Sequence, residues 1–60
     1  MANLNQSEFN SIREVAGCHI TTAMKLEEYS AKCSDPQIKQ MFSQGAQDAR
    51  KSAHQLTNML

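Results

Sequence analysis

Tryptophan is absent from this sequence, and the aromatic residues are limited to Phe9, Phe42 and Tyr29. Apolar content comes instead largely from Ala, Met, Leu and Ile, a mix that favours helix over strand. No excess of either charge sign exists, because six basic and six acidic residues cancel. Without a basic stripe the chain lacks the electrostatic footprint of a nucleic-acid binder. Without a basic amphipathic face it lacks that of a membrane-surface binder. The longest unbroken apolar runs are two residues, too short to cross a bilayer. Residues 1–6 hold no basic cluster followed by an apolar run, so no signal peptide is expected.

Cysteine is scarce as well, with Cys18 and Cys33 alone. On one helix, at 1.5 Å per residue, they stand about 22 Å apart, whereas a disulfide needs Cα atoms within about 7 Å. They therefore do not pair within one chain. Two free thiols in a reducing compartment is one reading, and a bridge between two copies is the other.

What is present is periodicity. From Phe9 an apolar row runs through Ile12, Ala16, His19, Ala23, Leu26, Ser30 and Cys33, in alternating steps of three and four residues. A second row runs through Ile38, Phe42, Gly45, Ala49, Ser52, Leu56 and Met59 with the same alternation. This 3.5-residue spacing belongs to helices that bury a narrow seam against another helix. Val15, Ile20 and Tyr29 widen the first seam in the manner of a bundle. Asn10, Ser11, Glu14, Lys25, Glu28 and Lys32 form the opposite, solvated face.

Residues 1–4 read as a short lead-in. Asn5 followed by Glu8 predicts a capping box, and Leu4 with Phe9 a hydrophobic staple around it. The break is Cys33-Ser34-Asp35-Pro36: proline disfavours helix at the residue before it and fits a first helical position, and Asp35 is a strong N-cap. The prediction is a single helical-hairpin domain over residues 1–60, with helices at about 5–33 and 36–58 and a turn at 34–35. A core this small rarely supplies more than roughly 3–5 kcal/mol, so such chains need a disulfide, a metal or a second subunit. The predicted architecture is therefore all-α: a hairpin that pairs with a second copy, around a two-fold axis, into a four-helix bundle.

In an antiparallel hairpin, Leu26 is expected to meet Phe42 and Gly45, Ala23 to meet Gly45 and Ala49, His19 to meet Ala49 and Ser52, and Ile12 to meet Leu56 and Met59. The middle is then lined by Ala16, His19, Ala23, Gly45, Ala49 and Ser52, where bundle proteins place inward-facing ligands. No acidic residue lies on either seam. His19 reads as a neutral seam histidine bonded to Ser52 or water. The alternative is a pair of copies facing a shared cavity, able to hold a soft metal or to loosen the dimer when protonated. His54 reads as a solvated residue beside Arg50 and Lys51. Cys18 and His19 point about 100° apart and make no nucleophile pair. No cofactor is expected.

The long helix with Lys25 and Tyr29, followed by Ser34-Asp35-Pro36-Gln37-Ile38-Lys39-Gln40-Met41-Phe42, resembles the small ferritin-like proteins related to spore coat protein F. The likeness covers about residues 9–60 and is strongest in the string from Tyr29 to Phe42. It implies a ferritin-like bundle, a cytoplasmic or spore-coat location in a spore-forming bacterium, and other coat-type proteins as partners. Metal-bearing ferritin-like proteins carry an inward Glu on one helix and Glu-x-x-His on the next. Those positions fall here on His19, Ala49 and Ser52, and none is a matching ligand, which argues against di-metal chemistry. The expectation is a non-catalytic structural or interaction protein. A reduced ferritin-like module that binds a ligand or metal near His19 is the alternative.

Overall fold

A computed structural model describes residues 4–60 of the chain. Met1, Ala2 and Asn3, which belong to the expected lead-in, lie outside the described residues. Among the described residues there are two helices, α1 (Gln6–Lys32) and α2 (Pro36–Thr57), folded back on each other as a hairpin. Each begins at a side-chain cap. Asn5 accepts a hydrogen bond from the Glu8 N–H at 2.8 Å, and its own N–H donates to Glu8 Oε1 at 3.1 Å, so the capping box forms. Asp35 Oδ1 accepts from the N–H groups of Gln37 and Ile38 at 2.9 and 3.3 Å, with Pro36 in the first helical position. These caps satisfy donors that lack a partner within the helix, each contributing about 1 kcal/mol. Extended backbone at Cys33 and Asp35 turns the chain between the helices.

The interior is built from methyl groups. Ala16, Ala23, Ala46, Ala49 and Ala53 are buried between the helices, and Ala23 is 0% exposed. Among the described residues no large side chain is completely enclosed. Alanine lets two helix backbones approach closely, but it supplies little apolar area for each residue ordered. Phe9, Ile12, His19, Leu26, Phe42, Gly45, Ser52 and Leu56 are half-buried at the margins of the contact.

On α2 the buried row is Ala46, Ala49 and Ala53 rather than Gly45, Ala49 and Ser52. The helix is turned by part of a residue from the spacing in the sequence. That turn buries two methyl groups and leaves the Ser52 hydroxyl near water, where it needs no protein partner. It also leaves Ile38 43% exposed, outside the seam on which the sequence places it. Leu26 packs against the alanine cluster and reaches over Gly45, where an added Cβ would stand 3.2 Å from Leu26 Cδ1.

Gly17 differs, because an added Cβ there meets nothing within 4 Å. Gly17→Ala therefore gains helix propensity without a clash, about 0.5–1 kcal/mol. The expected result is a midpoint raised by about 2–8 °C in a thermal melt at fixed protein concentration. An unchanged or lower midpoint would show that something occupies the space above Gly17.

Candidate interaction surface

The hairpin has two broad faces, and the cross-helix contacts tell them apart. On the first, Leu26 lies over Gly45, and the rings of Tyr29 and Phe42 stand 6.0 Å apart between centroids with a 54° tilt. The seven-residue spacing carries this face along α1 through Val15 and His19 and along α2 through Ile38, Met41 and Ser52 to Met59 beyond its end. Val15, Tyr29, Ile38, Met41 and Met59 are all exposed large side chains, with Met41 at 72%.

The second face carries cross-helix charge as well as an apolar groove. Arg50 donates to the Glu27 carboxylate across the helices. Arg13 lies over the Phe9 ring, 5.8 Å from its centroid, in cation–π contact. Near the free ends a shallow groove of about 440 Å³ is lined by Phe9, Ala16, Ile20 and Ala53, with Arg13 and His54 at its rim. His54 is exposed, but it borders this groove as well as standing beside Arg50 and Lys51.

The loop end carries the interior polar contact. Ser30 is buried, its hydroxyl donates to the Lys39 carbonyl at 3.1 Å, and it shares a 2.8 Å hydrogen bond with the Ser43 hydroxyl. Ser30 falls on the sequence seam in an apolar register, which marks it as a buried hydroxyl needing a partner. Nothing in the spacing names Lys39 or Ser43 as that partner. Lys32 pairs with Glu28 at 2.9 Å one turn away, both well exposed, and such surface pairs contribute little.

His19 sits at the margin of the seam on the first face, half-buried, and among the described residues it makes no hydrogen bond to Ser52. Its edge position leaves the ring nitrogens within reach of water. Among the described residues no three His, Cys, Asp or Glu side chains gather closely enough to hold a metal ion. Cys18 is exposed, Cys33 is half-buried at the loop with its thiol 3.7 Å from the Asp35 carbonyl, and both are free. Among the described residues no helix is long and apolar enough to cross a membrane.

The sequence reading placed Gly45 and Ser52 in the interior and did not single out Ala46 or Ala53. The available signal was the apolar row shifted by one residue, Ala46, Ala49 and Ala53, which fits a helical stripe equally well. No family model, curated protein or solved structure matches the chain.

Proposed function

We propose that this chain is a non-catalytic structural or interaction protein that works as a homodimer, two hairpins closing into a four-helix bundle. The supporting observation is thickness. The Cα trace measures 46 × 15 × 9 Å, which is one layer of helices. Stable domains bury apolar faces between at least two packed layers. A single layer whose interior is alanine leaves its larger apolar groups at the margins, and a second copy supplies the missing layer. The radius of gyration of 14.2 Å agrees, since a compact chain of this length has about 10.4 Å.

The string from Tyr29 to Phe42 supports a place among small ferritin-like proteins related to spore coat protein F. On that reading the dimer is a building block or adaptor in the spore coat or in the cytoplasm of the cell that makes it, with other coat-type proteins as further partners. The seams carry no acidic side chain to hold a hard metal pair, which favours a packing role over a di-metal one.

Sedimentation equilibrium of the full chain tests the reading. The expected mass is twice that of one chain, with the monomer appearing only on dilution together with loss of helicity. A helical, cooperatively melting monomer at high micromolar concentration would overturn it.

A further inference from the structure

The two faces of the hairpin are not equivalent, and their difference selects how two copies meet. We propose that the second copy covers the face bearing Val15, Leu26, Tyr29, Met41 and Met59, with the two-fold axis along the helices so that α1 lies on the partner's α2. This rests on the dimeric reading above and adds to it a surface and an orientation.

The first support is area. The chain exposes 4652 Å². A compact monomer of 6.7 kDa exposes about 3,900 Å². The excess of roughly 750 Å² is close to the 800 Å² or so that each partner contributes to a standard interface.

The second support is which face carries the apolar groups. Among the described residues five exposed large side chains, Val15, Tyr29, Ile38, Met41 and Met59, belong to this side, and Met24 and Leu60 lie elsewhere. The opposite face holds Arg13 and the Glu27–Arg50 pair beside the apolar groove of Phe9, Ile20 and Leu60. Covering that face would strip water from three charged groups, a desolvation cost that one cross-helix pair does not offset. Left open, the same charges keep the dimer's outer surface wetted and limit further stacking.

Charge along the edge selects the orientation. The margin of α1 beyond the apolar face reads Ser11, Cys18, Lys25, Lys32 at seven-residue spacing, and the corresponding margin of α2 reads Met41, Asp48, Gln55. An axis along the helices repeats across the interface the antiparallel level that sets Leu26 beside Gly45 and Tyr29 beside Phe42. Lys25 then comes level with the partner's Asp48, and symmetry makes two such pairs. An axis across the helices would instead set the Lys25 margin against its own copy, where no acid recurs.

The test is sedimentation equilibrium of full-length variants, with far-UV circular dichroism at each concentration. Val15→Glu and Ile38→Glu alter side chains already exposed in the single hairpin, so any helicity they lose is lost with the dimer and returns at higher protein concentration. Each should weaken association at least about a hundredfold, because closing the interface buries an unpaired carboxylate. Met24→Glu and Leu60→Glu, off this face, should change it by no more than about threefold. Lys25→Glu and Asp48→Lys should each weaken it roughly three- to tenfold, and the double reversal should restore it.

Retained dimer in both Val15→Glu and Ile38→Glu, or equal loss in Met24→Glu, would overturn the face while leaving the dimer intact. Failure of the double reversal to restore association would overturn the orientation. A monomeric parent chain would instead remove the dimeric reading beneath both.

Discussion

Ala23→Asp abolishes the helical hairpin. Ala23 is the most deeply buried residue, 0% exposed, packed with Ala46 and Ala49 beneath Leu26. A carboxylate at that point has neither water nor a cation to meet, and the effective penalty for an unpaired buried ion is several kcal/mol. A core of this size supplies only about 3–5 kcal/mol in total, so the substitution exceeds the margin. The expected observation is loss of most far-UV helical signal at neutral pH and room temperature. Met24→Asp is the control, since Met24 is 60% exposed and a carboxylate there stays hydrated. Retained helicity in Ala23→Asp would mean that the alanine seam does not hold the helices together.

Ser30→Ala gives the second large effect, from a different cause. It removes the hydroxyl that bonds both the Lys39 carbonyl and the Ser43 hydroxyl. Each such bond contributes a net of about 0.5–1.5 kcal/mol, so the loss of two is about 1–3 kcal/mol. At fixed concentration the thermal midpoint should fall by roughly 4–24 °C. Ser43→Ala breaks only one of the two bonds and should cost about half as much. If the two substitutions proved equal, the Ser30–Lys39 bond would contribute nothing measurable.

Much of this fold is legible in the residues, because local rules and the long-range pattern agree. Asn5 with Glu8 and Asp35 with Pro36 mark the helix starts through hydrogen bonds whose geometry is entirely local. The expected helix spans of about 5–33 and 36–58 compare with Gln6–Lys32 and Pro36–Thr57. Rotation of α2 about its axis is harder to read. Gly45, Ala46, Ser52 and Ala53 are all small, so neither neighbouring row is excluded by size. The choice falls to hydroxyl solvation at Ser52 and to the fit of Leu26 over Gly45, which depend on the partner helix. Ser30 shows the same limit: spacing places it inward, while the identity of its partners depends on the axial level of α2.

The candidate surface is less legible, because its defining property is the difference between two sides of the same hairpin. Val15 and Tyr29 stand out as flanking apolar groups in the sequence alone. Only the cross-helix contacts Leu26–Gly45 and Glu27–Arg50 reveal that one side gathers oily groups and the other charge.

The interior of alanine methyls also has a mechanical consequence. Large interlocking side chains fix two helices like gear teeth, whereas a row of small, nearly identical bumps resists lengthwise sliding only weakly. Here the toothed spots, Ser30 against Ser43 and Lys39 and Leu26 over Gly45, gather toward the bend. Away from them the rods form a smooth bearing, so whatever grips their outer flank can trim the final alignment, and the hairpin adapts to its neighbour instead of presenting a finished mould.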